Sequence, residues 1–245
     1  MFEDLKPHIA DLRKRLMIIS ATLIVAFFAC FFVYDPILSW MKAPVEAVLP
    51  AGSQMVAIEV QETFFTALKV AFFAAFIVSL PVIFWQFWLF LSPGLYANEK
   101  KIIIPFVLAA TFMFLLGAVF AYYVVVPFGF EFLVAFGSQV VAVMPSIGKY
   151  VSFFTKIVIG FGIAFELPVI TFFLAVVGVV NDQMLKDFFK YAVVLIFILS
   201  ALLTPPDVVT QFLMAGPLII LYGVSIWIAK IFNPAEKQED QLEDE

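Results

Sequence analysis

Glu166 occupies the most unusual chemical setting in this sequence. It lies in an otherwise uncharged run from Ile157 to Val180, long enough to cross a bilayer. An ionised carboxylate at that depth costs roughly 2.5–3.5 kcal/mol on insertion scales. Such an acid can serve as a proton or cation site, as a polar floor for a neighbouring helix, or as a neutral carboxyl bonded within its own bundle. Pro168, two residues on, removes one amide from the helix ladder and bends the chain where the acid sits.

Two other acids point to different chemistry. Asp11 lies between His8 and the basic run Arg13, Lys14 and Arg15, and Glu99 precedes Lys100 and Lys101 in a turn marked by Pro93-Gly94. A carboxylate on such a basic surface can receive a guest guanidinium in a bidentate pair. Each also has a local use, Asp11 pairing with Arg15 at i+4 and Glu99 screening its lysines. Thr204 and Gln211 flank the outer hairpin, where they can hydrogen-bond a foreign helix inside the membrane at about 0.6 kcal/mol each or pack their own. Lys69 fits a snorkelling lysine. Phe84, Trp85, Trp88 and Phe90 fit an aromatic belt at the inner interface.

The elements that must hold these residues follow from composition. Of 245 residues, 64% are hydrophobic and 13% charged, with mean hydropathy +1.08. A soluble domain of this size cannot hide so much apolar side chain, so the chain reads as a polytopic membrane protein. No alternating strand pattern suggests a barrel. The net charge of −5 says little about partners, because six acids fall after Pro234. Cys30 and His8 are each the single residue of their type, which leaves no intrachain disulfide and no Cys- or His-rich metal centre. His-Glu-x-x-His, Gly-x-Ser-x-Gly and an intramembrane aspartate pair are also missing. The expectation is therefore no enzyme, no cofactor, no metal and no nucleic-acid partner.

The pattern predicts one polytopic domain over 1–232, with helices at about 16–34, 63–91, 102–126, 157–180, 191–204 and 208–229. An acidic, disordered tail follows over 233–245. Pro127 to Lys149 reads as an outer segment packed on or dipping into the membrane. The 14 residues from Tyr191 to Thr204 extend about 21 Å as a helix, short of a core of roughly 30 Å. The last hairpin is therefore short, and Gly216-Pro217 interrupts its second arm. With the N-terminus cytoplasmic, ten Lys and Arg fall on inner segments and four, Lys42, Lys69, Lys149 and Lys156, on the outer side. That asymmetry places both termini inside. No repeat relates the halves, which weighs against an inverted-repeat transporter, although a proton- or cation-coupled secondary transporter using Glu166 is the alternative reading.

Five stretches together carry a family resemblance: His8…Asp-Leu-Arg-Lys-Arg-Leu16, Phe90-x-x-Pro-x-Leu-Tyr-x-x-Glu-Lys100, Phe120-Ala-Tyr-x-Val-Val-x-Pro127, Phe161-Gly-x-x-Phe-Glu-x-Pro168 and Leu203-Thr-Pro-Pro-Asp207. The sequence resembles TatC, the multispanning component of the twin-arginine protein translocase. The resemblance implies an all-α membrane protein with six transmembrane helices in a glove-shaped concave bundle. It implies a multi-pass protein of a bacterial or archaeal cytoplasmic (inner) membrane, working in a multimeric complex with single-span TatB- and TatA-like proteins. Its ligands would be twin-arginine signal peptides of folded cargo. By position, the signal-peptide residues would be Asp11, Glu99, Phe90, Lys100 and Lys101. Glu166 would be the intramembrane polar site, Thr204 and Gln211 the partner-helix docking residues, and Pro44 a functional residue of the first outer loop. The family usually has Glu where this chain has Asp11, one methylene shorter.

Overall fold

The computed structural model describes residues 2–50, 53–91, 103–137, 144–204 and 208–232. Regular structure among them is helical, apart from an isolated bridge between Val56 and Ser146. Five segments are long and apolar enough to cross a membrane: Ile9–Phe32, Glu62–Phe90, Ile104–Ala135, Ile147–Val176 and Val208–Phe232. The remaining expected crossing lies in a helix over Asp182–Leu203. Its first turns carry Asp182, Lys186, Asp187 and Lys190, so only the part from Tyr191 onward suits hydrocarbon. The acidic tail lies outside the described residues.

The chain divides into two compact units. The first holds helices α1 (Phe2–Phe32), α2 (Tyr34–Glu46) and α3 (Glu62–Leu91), with the beginnings of α4 (Ile103–Phe120) and α6 (Ile147–Ala164). The basic lead-in expected before Leu16 is itself helical and continuous with the first span. α1 packs along α3. α2 buries Leu38, Met41 and Val45, an i, i+3, i+7 stripe on one helix face. The Tyr150 hydroxyl donates to the Met41 carbonyl at 2.5 Å, and the rings of Trp40 and Phe73 meet Phe154 edge-on.

Glu62, the first residue of α3, ties the segment before it to the start of α6. One carboxylate oxygen accepts from the Ile58 and Glu59 amides at 2.6 and 3.3 Å. The other accepts from the Gly148 amide at 2.8 Å and from the Ser146 hydroxyl. A Cβ on Gly148 would stand 2.9 Å from the Glu62 carboxylate, so the clasp needs glycine there. Hydrogen bonds to a charged group contribute about 1.5–3 kcal/mol each. Glu62→Ala is therefore expected to lower the melting temperature of the detergent-solubilised protein and to speed proteolysis within 53–61. An unchanged melting temperature would refute the clasp's importance.

The second unit holds the end of α4, helix α5 (Val126–Gly137), the rest of α6, α7 (Leu167–Val176), α8 (Asp182–Leu203) and α9 (Val208–Phe232). Within it α9 packs on both α7 and α8. The sequence suggests a helix end at Val126, because Pro127 lacks an amide and its ring would meet the carbonyl of Tyr123. The chain instead widens into a π-helical turn over Ala121–Val125, and the Val126 amide reaches back five residues to the Ala121 oxygen. The helix then continues through Pro127 to Gly137, so the expected outer segment begins as an extension of the span. α7 closes on Gly178, which takes φ 77°, with the Val179 amide bonding the Leu174 carbonyl. α8 opens on Asn181, whose side chain accepts from the Met184 amide at 2.7 Å. Lys186 hydrogen-bonds Asp182 at 2.5 Å and holds its carboxyl below the usual aspartate range. α9 runs through Gly216-Pro217 without a break, for 25 residues in all.

Candidate functional site

Phe161-Gly-x-x-Phe-Glu-x-Pro168 builds the setting of Glu166 step by step. Pro168 has no amide to give the Ala164 carbonyl, so α6 stops at Ala164 and α7 starts at Leu167. The expected single span is two helices joined at the acid. In that turn the Glu166 amide bonds the Ile163 carbonyl at 3.0 Å, and the Glu166 carbonyl accepts from Ile170 at 2.8 Å. Gly162 faces the Phe114 ring, which a Cβ would meet at 2.5 Å. Phe120 packs on both Phe161 and Phe165, with ring centroids 5.6 and 5.7 Å apart. Glu166 itself is buried, 7% exposed. Its Oε1 has no hydrogen-bond partner among the described residues. Buried polar atoms are nearly always satisfied, so this carboxyl oxygen stands apart from the apolar packing around it.

Asp11 lies on the α1 face that meets α3. Arg15 donates through Nε to Asp11 Oδ2 at 2.7 Å, and its Nη1 lies 3.5 Å from Oε1 of Gln86 on α3. The local ion pair anticipated at i+4 is thus formed, and Gln86, buried in a largely apolar helix, is a neighbour that sequence reasoning missed. Its signal was an amide in a long hydrophobic run. Phe90 sits half-buried in the last turn of α3. Two residues earlier, Trp88 meets Phe106 at 4.1 Å between centroids, bracing the end of α3 against the start of α4. Trp88 is 2% exposed, so it is a packing residue rather than part of an aromatic belt, whereas Trp85 is exposed. Glu99, Lys100 and Lys101 lie outside the described residues.

The remaining candidates are used within the chain. Thr204 terminates α8, its hydroxyl and amide both donating to the Ser200 carbonyl, at 2.8 and 3.0 Å. Gln211 donates to the Phe197 carbonyl at 3.0 Å beside the edge-on pair Phe197 and Phe212. Pro44 lies inside α2, one residue before the buried Val45. Lys69, exposed, donates to the Ser152 hydroxyl at 2.8 Å.

Spanning helices with a few individually placed polar groups define a helical multi-pass membrane protein. Residues 7–217 match the family model described as Sec-independent protein translocase protein (TatC), and the chain belongs to that family. It is 55% identical over 245 residues to the Sec-independent protein translocase protein TatC of Campylobacter jejuni, covering 99% of this chain and 100% of that one. It is 52% identical to the protein of the same name from Helicobacter pylori, covering 98% of this chain and 92% of that one. A crystal structure of the twin-arginine translocase receptor TatC matches the fold with TM-score 0.84 at 35% identity, covering 92% of this chain and 99% of that one.

Proposed function

We propose that this chain is the receptor subunit of a Sec-independent, twin-arginine protein translocase. It binds twin-arginine signal peptides of folded proteins at the cytoplasmic face and nucleates a translocation complex with single-span TatA- and TatB-like partners. Membership of the translocase family carries the reading, and the relatives lend nothing to a secondary transporter working through Glu166. The lysine and arginine asymmetry supports both termini on the cytoplasmic side of the inner membrane.

Asp11 and Glu99 are the acids that receive the two arginines, with Phe90, Lys100 and Lys101 in the same inner region. Thr204 and Gln211 offer the docking patch for a partner helix. Each already has a bond inside the hairpin, so the partner meets an ordered surface rather than loose side chains. Pro44 shapes the outer loop through α2. A photo-crosslinker at position 90 tests the receptor assignment. It should capture an Arg-Arg signal peptide and miss its Lys-Lys counterpart, and equal capture of both would refute twin-arginine recognition.

Glu166 serves assembly or transport rather than capture. Its buried, unmatched oxygen is a polar group to which an incoming donor can bond. Glu166→Ala is expected to reduce transport about tenfold, while crosslinking of the signal peptide stays within about twofold of the parent, since leaving a buried donor of the incoming partner unpaired costs about 1–3 kcal/mol. Loss of capture ahead of transport would reverse this division of roles.

A further inference from the structure

The Arg15 guanidinium already occupies the carboxylate assigned above to a guest arginine. Its Nε holds Asp11 Oδ2 at 2.7 Å. The pair is half-hidden, with side-chain exposures of 17% for Arg15 and 35% for Asp11. Asp11 Oδ1 carries no bond to any described residue, and Gln86 Oε1 lies 3.5 Å from Arg15 Nη1, at the limit of a hydrogen bond. We propose that Arg15 is an internal competitor: it covers Asp11 at rest, and a guest arginine takes the carboxylate from it while Gln86 receives the displaced guanidinium. This rests on the reading of Asp11 as a recognition acid.

The exchange discriminates between cations. A carboxylate paired with its own guanidinium has no net charge, so an approaching cation gains little from long-range attraction. What decides the outcome is one bonding pattern replacing another. Arg15 grips a single carboxylate oxygen through Nε. A guest guanidinium, free to align its planar fork, can bond both oxygens in parallel and gains a contact in the exchange. A lysine ammonium is a compact, strongly hydrated charge without that fork. It trades one bond for one and leaves Arg15 less well satisfied. Gln86 lowers the penalty of displacement, because a small rotation about the Arg15 side chain closes the 3.5 Å gap. Arg15 is in this sense a specificity-determining residue that need never touch the peptide.

The test measures binding of Arg-Arg and Lys-Lys signal peptides to the full chain in nanodiscs, for the parent, Arg15→Gln, Arg15→Lys, Gln86→Leu and Asp11→Asn. Arg15→Gln should tighten both peptides, Lys-Lys more than Arg-Arg, so that discrimination falls by up to about fivefold, the ceiling for partly exposed ion pairs. Arg15→Lys, a weaker competitor, should shift discrimination the same way by less, and serves alone if Arg15→Gln does not insert. Gln86→Leu should weaken Arg-Arg binding. If Arg15→Gln weakens binding, or discrimination is unchanged, Arg15 is a positioning residue and the competitor idea is overturned. If Asp11→Asn binds Arg-Arg as the parent does, the recognition role of Asp11 fails, and the competitor idea with it. Loss of binding in Asp11→Asn alongside unchanged discrimination in Arg15→Gln overturns only the second.

Discussion

A chain carrying both Asp11→Ala and Glu99→Ala is expected to insert normally and to lose capture of a twin-arginine peptide by roughly a hundredfold or more. Each charge-assisted contact to a guanidinium is worth about 1.5–3 kcal/mol, and about 1.4 kcal/mol is tenfold in affinity. Insertion should be spared, because the Asp11–Arg15 pair is one i,i+4 contact at 2.7 Å on a helix that packs along α3 by other residues as well, and such pairs contribute about 1 kcal/mol or less. The single Asp11→Ala variant should lose less than Glu99→Ala, since the parent Asp11 is already partly engaged by Arg15. Site-specific crosslinking from the signal peptide to membranes holding equal amounts of each variant decides the matter. Undiminished crosslinking to the double variant would sink the assignment of these acids.

The second large effect concerns the contact of α4 with α6 at Gly117. A Cβ on Gly117 would lie 2.6 Å from the backbone oxygen of Phe161 and 2.9 Å from the Phe165 side chain. A carbonyl fixed in a helix cannot swing aside as a side-chain tip does, so α4 and α6 must part. That separation loosens the Phe120 contacts with Phe161 and Phe165 and moves the turn that holds Glu166. Overpacking costs about 1–3 kcal/mol in cores that can adjust, and Gly117→Ala should sit at the upper end. Gly223→Ala is the matched control, because nothing lies within 4 Å of its added Cβ. Thermal unfolding in detergent should show a clear drop for the first and almost none for the second. Equal melting of the two would show that the helices yield at this crossing.

The parts of the molecule governed by local rules were legible in the sequence. Uncharged runs marked the spans, and Pro168 marked the break beside Glu166. Asp11 and Arg15, four residues apart on one helix, could be paired on spacing alone. The parts set by distant partners were not legible. Gln86 comes within reach of Arg15 across 71 positions, and Glu62 meets Ser146 across 84. No local pattern in either stretch names its mate. Pro127 misled for a different reason. A proline predicts a stop when the helix keeps its ordinary pitch, and here the π turn over Ala121–Val125 widens the pitch and lets the chain pass. For Thr204 and Gln211 the sequence left two uses open, and their bonds to Ser200 and Phe197 show the internal one in place.

The Glu62 clasp also bears on how the protein is made. Its local donors, Ile58 and Glu59, are synthesised just before it, but Ser146 and Gly148 emerge more than eighty residues later. The Met41 carbonyl waits still longer, 109 positions, for the Tyr150 hydroxyl. A nascent chain that has threaded α1 and α3 into the bilayer, with α2 between them, therefore holds an incomplete unit, open until the start of α6 arrives. Chains truncated before Ser146 should remain open to protease attack over 53–61, and extension past Phe154 should close that window. The first three helices are a waiting platform during biogenesis, and a segment from the middle of the chain locks it.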